Sequence, residues 1–270
     1  MVSNEIKTTK FWDLKSISSS SISYDDAKLQ VEALLEDAIK IRLQSDVPFG
    51  TFLSGGIDSA LITSIASKIS KKRIKPFSIG FEDPKYDESK LAEKYAEILN
   101  TDHKEIICKA EDILKMIPEL VKVYDEPFAD SSQIPTTILC KNAKKNLSVC
   151  LTGDGGDEIF SGYTFRYQKF LSLTNDKSTP LEKVKAYLEC HERDRVSDQE
   201  LIFGEKSNFS WDYIYEKLIP HFDNSLSRLE QVLLADYNGK LLYNFNPINS
   251  RIATNFNIKI LAPLLNEELI

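Results

Sequence analysis

Phe49-Gly50-Thr51-Phe52-Leu53-Ser54-Gly55-Gly56-Ile57-Asp58-Ser59-Ala60-Leu61-Ile62-Thr63 runs from an apolar stretch, through a glycine turn flanked by hydroxyls, into a helical pattern. Read physically, this is a buried strand, a tight loop and a helix N-terminus. Gly55 and Gly56 let backbone approach a ligand closely, and the first turn of the helix presents unpaired N–H groups and a favourable dipole to an anion. Ser54 and Ser59 add hydroxyls. The G-x-x-x-x-G-K-[ST] pattern is absent, and Asp58 stands where a cation would help a phosphate. A carboxylate beside a polyphosphate requires an intervening cation, so Asp58 implies ATP held with Mg2+. The plainer reading, a capped helix after a tight turn, uses the same residue types.

Outward from this stretch, strands and helices alternate. A helical stripe from Asp25 onward uses Ala27, Val31, Leu34, Leu35, Ala38 and Ile41, and Asp46-Val47-Pro48 ends it. After the helix near 58–70 come a strand at Pro76–Phe81, a helix near 87–100, a strand at His103–Cys108 and a helix near 110–124. A further helix follows Pro127 and Pro135, and a fourth strand spans Leu147–Leu151. Such alternation predicts an α/β fold with a doubly wound parallel sheet, whose ligands bind beyond the carboxyl ends of the strands. Beyond Tyr163 the strand signal fades. Segments such as Leu181–Cys190 and Ser225–Tyr237 predict a helical C-terminal region. The expected organisation is a serine-rich, strap-like lead-in over 1–23, the α/β domain over 24–175, and a helical, truncated region over 176–270.

Composition narrows the function. The 270 residues are 42% hydrophobic, enough for a substantial core, and the net charge of -7 argues against a nucleic-acid surface. No run reaches the 18 or more apolar residues of a membrane span, and the N-terminus lacks a signal-peptide core, so a cytoplasmic location is expected. Cys108, Cys140, Cys150 and Cys190 form no C-x-x-C pair and read as reduced, buried thiols. His103 reads as structural.

A second loop, Thr152-Gly153-Asp154-Gly155-Gly156-Asp157-Glu158, puts three glycines and three acids into seven residues after the fourth strand. It could be a solvated acidic turn. At the ligand edge of a sheet, however, gathered carboxylates repel one another unless a cation lies among them. Mg2+ bridging Asp58, Asp157 and phosphate oxygens would resolve that repulsion.

Together with Asp46–Ser59 and Tyr124-Asp125-Glu126-Pro127-Phe128-Ala129-Asp130-Ser131-Ser132, this loop resembles the synthetase domain of glutamine-dependent asparagine synthetases. The three motifs occur in order over roughly residues 25–170. The resemblance implies the ATP pyrophosphatase (PP-loop, adenine nucleotide alpha hydrolase-like) fold and cleavage of ATP to AMP and pyrophosphate. It implies adenylation of the aspartate side-chain carboxylate and attack by ammonia. By match, Ser54, Gly55, Gly56, Asp58 and Ser59 would hold pyrophosphate and Mg2+. Leu53 and Ile79 would contact adenosine, and Thr152 and Gly153 would border the nucleotide. Asp154 would act in forming the acyl-adenylate, Asp157 would assist the metal, and Tyr163 would line the acceptor pocket or simply pack. Asp125, Glu126 and Asp130 would shape the loop between sheet and helices.

The sequence also departs from that family. No glutaminase domain precedes the motifs and residue 2 is Val, so free ammonia, a separate glutaminase subunit or a longer parent polypeptide is the expected nitrogen source. Asn249-Ser250-Arg251 and Ile260–Asn266 match the family's later motifs weakly. Ser250 replaces an Asp, Leu261 replaces an Arg, and the chain stops at Ile270, before the family's distal lysine. The alternatives are therefore a related amidotransferase acting on another carboxylate or a sugar, and an ATP-binding subunit with little turnover. A homo-oligomer is compatible with either.

Overall fold

The computed structural model describes residues 6–9, 14, 21–44, 46–124, 128, 130–191 and 210–270. The expected lead-in over 1–23, together with Asp125 and Glu126, falls largely outside them.

Helix α1 (Tyr24–Leu43) starts at Ser23, whose hydroxyl accepts the Asp26 N–H at 3.2 Å. Asp25 and Asp26 in its first turn and Lys40 and Arg42 in its last complement the helix dipole. Its buried stripe is Leu35, Ala38 and Ile39, whereas Ile41, expected on that face, is 57% exposed. The i, i+3, i+4 set that fits the neighbouring helix is completed by Ile39, and Ile41 lies half a turn away.

Five strands form one parallel sheet: β1 (Phe49–Phe52), β2 (Pro76–Phe81), β3 (Lys104–Cys108), β4 (Val149–Leu151) and β5 (Lys259–Leu261), in the order β3-β2-β1-β4-β5. Helices α2 (Ile57–Ile69), α3 (Ser89–Ile98), α4 (Ala110–Leu120) and α5 (Gln133–Ala143) connect the first four. The order reverses between β1 and β4, and that switch point opens a crevice beyond their carboxyl ends.

Strand alternation sends successive side chains to opposite faces. Cys150 enters a core with Phe77, Leu139, Cys140 and Ile252. Its neighbour Leu151 enters one with Leu35, Ile39, Ile62, Ala66 and Ile74. All four cysteines are buried and unbridged, and burial pushes the Cys140 thiol up to about 12. His103 Nε2 lies 2.7 Å from Ser78 Oγ, a structural contact.

Past the sheet come α6 (Gly156–Phe160), α7 (Thr164–Leu173), α8 (Pro180–Cys190), α9 (Asp212–Phe222), α10 (Arg228–Ala235), a π-helical segment (Asp236–Phe245) and α11 (Asn246–Asn255). Tyr167, Phe170, Val184, Tyr187, Phe222 and Val232 form a separate core in this region. Among the described residues no helix is long and apolar enough to cross a membrane.

The expectation of an exclusively helical region after Tyr163 needs correction, because Lys259–Leu261 is a strand of the main sheet. Three residues are too few to carry a periodicity. Ile258, 4% exposed, and the β4 ladder set the pairing instead. This strand matters for the site: the Thr152 N–H donates to the Leu261 carbonyl at 3.0 Å, anchoring the second loop.

Candidate functional site

The first loop leaves β1 at Leu53, whose N–H donates to the Phe77 carbonyl at 2.9 Å. The loop is closed from within. The Ser54 N–H donates to Ser59 Oγ at 3.0 Å, the Gly56 N–H donates to Ser54 Oγ at 3.0 Å, and the two hydroxyls meet at 2.9 Å. Ser54 and Ser59 thus shape the loop as well as facing it. Gly56 caps α2 without a side-chain bond, which leaves the first-turn N–H groups of α2 unclaimed by a cap. Thr63 Oγ1 donates to Thr51 Oγ1 at 3.0 Å in the interior, locking the helix to its strand.

The second loop lies directly against the first. A Cβ on Gly153 would fall 2.6 Å from the Ser59 backbone nitrogen and 2.9 Å from Asp58 Cβ. A Cβ on Gly156 would fall 2.5 Å from Asp58 Oδ2. The Asp58 carboxylate therefore nests against the backbone that carries Asp157, and only glycine leaves it room. Burial raises the Asp58 pKa first, and the nearby charges of Asp157 and Glu158 raise it further. An electrostatically uncomfortable carboxylate facing acidic neighbours is what a bound cation relieves.

Two cavities open beyond the strand ends. The larger, about 390 Å³, is walled by Phe52, Leu53, Phe77, Ile79, Phe81 and Tyr86 on its apolar side. Ser54, Asp58, Ser59, Thr152, Gly153 and Asp154 form its polar side. The smaller, about 160 Å³, is lined by Gly153–Glu158, Tyr163 and Phe245. Gly153 and Asp154 belong to both. Of the residues singled out from sequence, Leu53, Ser54, Asp58, Ser59, Ile79, Thr152, Gly153 and Asp154 face the large cavity, whereas Asp157 and Tyr163 face the small one. Gly55 and Gly56 form the turn itself, with Glu88 alongside Gly55.

Among the described residues, no group of three or more His, Cys, Asp or Glu side chains is arranged to hold a metal ion alone. Asp58 and Asp157 are the carboxylates that could offer hard oxygen ligands to a cation here. They suit Mg2+, which typically takes one or two carboxylates and completes its shell with phosphate oxygens and water.

Several residues of this region carry no motif. Lys240, on the π-helical segment, donates to Glu158 Oε1 at 3.2 Å. Its Nζ sits 3.3 Å above the Tyr163 ring, and the Tyr163 hydroxyl donates to the same Glu158 oxygen at 2.8 Å. The Glu158 side chain is 2% exposed. Burial lowers the Lys240 pKa, with Glu158 opposing that shift.

Asp236, fully buried, accepts the Tyr167 and Tyr187 hydroxyls at 2.9 and 2.8 Å. Asn244 donates to Asp130 Oδ2 at 2.7 Å. The i→i+5 bonding of this segment widens its turn, so Asp236, Lys240 and Asn244 fall near one face, where they meet Tyr167 and Tyr187, Glu158, and Asp130 in turn. Four-residue spacing of polar groups among leucines is the sequence signal that could have revealed them. Lys240→Met should cost about 3 kcal/mol in urea unfolding, because it strands a buried carboxylate, and adding Glu158→Gln should recover much of the loss.

A reversed-order parallel sheet with two glycine–acid loops meeting at its switch point defines a doubly wound α/β protein built around a nucleotide-sized crevice. The family model described as Asparagine synthase matches residues 30–270, and the chain belongs to the asparagine synthase family. It is 36% identical over 159 residues to asparagine synthetase [glutamine-hydrolyzing] 1 of Bacillus subtilis (strain 168), covering 59% of this chain and 24% of that protein. It is 29% identical over 224 residues to asparagine synthetase [glutamine-hydrolyzing] 3 of the same organism, covering 73% and 36%. The chain spans about a quarter to a third of the length of the curated relatives it matches. Among solved structures, it superposes on the NH3-dependent NAD synthetase of Campylobacter jejuni with a TM-score of 0.41 at 15% identity, covering 80% of this chain and 95% of that one.

Proposed function

We propose that this chain is an ATP-dependent carbon–nitrogen ligase that adenylates the side-chain carboxylate of aspartate and lets ammonia displace AMP, giving asparagine. The observation that carries the reading is the contact of the two loops, Gly153 on Ser59 and Gly156 on Asp58, beside Gly153 and Asp154, which line both cavities.

In this reading adenosine lies along Leu53 and Ile79, and the triphosphate lies over Ser54–Ser59 with Thr152 and Gly153 bordering it. Asp58 and Asp157 would hold Mg2+, which when bound neutralises phosphate charge. The acceptor enters the small cavity beside Tyr163. One carboxylate oxygen bonds to the α-phosphorus as the bond to the bridging oxygen breaks, and pyrophosphate leaves. A carboxylate is a poor electrophile, and its adenylate has a good leaving group. Ammonia then bonds to the acyl carbon, AMP leaves, and Asp154, facing both cavities, accepts the proton shed by nitrogen, a step after the adenylate formation that the family resemblance implies for it. Burial raises the Asp154 pKa, which suits a proton acceptor working near neutrality. Nitrogen reaches the site as ammonia.

The test supplies ATP, Mg2+, ammonium and aspartate labelled with oxygen-18 in its side-chain carboxylate. AMP carrying the label, together with pyrophosphate and asparagine, is the expected result. ADP with phosphate, or unlabelled AMP, would overturn the reaction. A second reading, adenylation of a different acceptor or ATP binding without turnover, is favoured by Ser250 and Leu261. The Ser250 hydroxyl donates to the Asn246 carbonyl, and Leu261 is a strand residue, so neither supplies the charge that the family motif carries there. Mg2+-dependent ATP binding without AMP formation from aspartate would support that reading.

A further inference from the structure

Asn249 sits on α11, among the weakly matching residues whose role the family motif leaves unassigned. It lines the large cavity, and its Nδ2–H donates to Asp154 Oδ2 at 2.7 Å. Thr152 Oγ1 donates to the same oxygen at 2.6 Å. These two donors come from different layers of the fold, one from the loop after β4 and one from the helix before β5. Two donors on one oxygen fix the plane of a carboxylate and leave its other oxygen to exchange a proton.

We infer that Asn249 is a positioning residue for Asp154, holding Oδ2 jointly with Thr152 so that Oδ1 is presented where the two cavities meet. The inference rests on the reading of Asp154 as the proton acceptor, but the contact itself can be tested without turnover. The ionisable groups around Asp154 are Glu158 on α6, Cys150 on β4, and Asp58 on α2 across the shared cavity. Against those neighbours the Asn249 amide favours the charged form of Asp154, because a donor stabilises the carboxylate more than the acid.

The experiment titrates the Asp154 carboxyl by carbon-13 NMR in the full chain, its signal assigned by its loss in Asp154→Asn. Asn249→Leu removes the donor at similar volume, and Asn249→Asp replaces it with a second carboxylate. The midpoint should rise by about one pH unit in Asn249→Leu. It should rise further in Asn249→Asp, where two carboxylates share one site. If Asn249→Leu does not fold, Asn249→Ala carries the same expectation.

In the labelled-aspartate assay, the acidic limb of AMP formation should move up by the same amount while KM for ATP stays within about twofold. Coincident midpoints in all variants would overturn the inference, as would lowered thermal stability with an unmoved midpoint. A wild-type chain that forms no AMP would count against the proposed reaction alone, because the titration still decides the contact.

Discussion

Gly156→Ala is expected to reduce AMP formation by at least about a hundredfold, because the added methyl lands on the Asp58 carboxylate and displaces it from its place against the second loop. Displacement on the order of an ångström at a positioning group has that kinetic cost, and overpacking adds about 1–3 kcal/mol of destabilisation. Gly153→Ala should behave similarly, since its methyl meets the Ser59 backbone, which cannot swing away as a side-chain tip can. Gly239→Ala is the control. The nearest atom to its Cβ is the Tyr187 hydroxyl oxygen at 3.9 Å, so the chain should keep its activity and gain roughly 0.5–1 kcal/mol. Steady-state AMP formation and thermal unfolding on the three variants check these expectations. An active Gly153→Ala variant with unchanged melting would show that the loops do not touch.

Asp58→Asn should produce opposite effects on function and stability. Loss of a carboxylate that holds Mg2+ should lower AMP formation by about two orders of magnitude or more. The free chain should nevertheless melt about 2 °C higher near neutral pH, since the substitution removes a charge opposed by burial, Asp157 and Glu158. The sign follows from the raised pKa. An Asp whose folded value lies above its ordinary 3.8 holds its proton more tightly when folded, so its ionisation opposes folding. The advantage of Asp58→Asn should therefore be full at neutral pH and should fade as the pH falls through the raised folded value towards 3.8. Mg2+ with ATP should raise the melting temperature of the wild type but not of the variant. Melting curves at several pH values read both effects, and a variant less stable than wild type at pH 7 would refute the electrostatic argument.

Much of this architecture is legible in the residues, for reasons that also mark where legibility stops. β1 to β4 each follow or precede a helix with its own apolar period, so alternation alone orders them. Glycine–acid loops after β1 and β4 then fall at the ligand edge by the geometry of parallel sheets. The structure brings both loops together at the switch point. β5 escapes such reading, because Lys259–Leu261 has no internal period and its place depends on hydrogen bonds to Ser148 and Thr152.

The same holds for Lys240, Asp236 and Asn249. Each is an ordinary polar residue on a helical stretch until the chain folds back and sets it against Glu158, Tyr167 or Asp154. Ile41 shows the local version of the limit. A stripe of three- and four-residue steps tolerates either Ile39 or Ile41, and the partner helix selects Ile39.

The most direct measurement of the account is calorimetric titration of α,β-methylene ATP into the wild-type chain, Asp58→Asn, Asp157→Asn and the double variant, with and without Mg2+. If both loops grip one ion on the triphosphate, binding should require Mg2+. Each single substitution should then weaken it at least about tenfold, and the double variant should lose less than the sum of the two singles. Equally tight binding without Mg2+, or a wild-type affinity in Asp157→Asn, would contradict it.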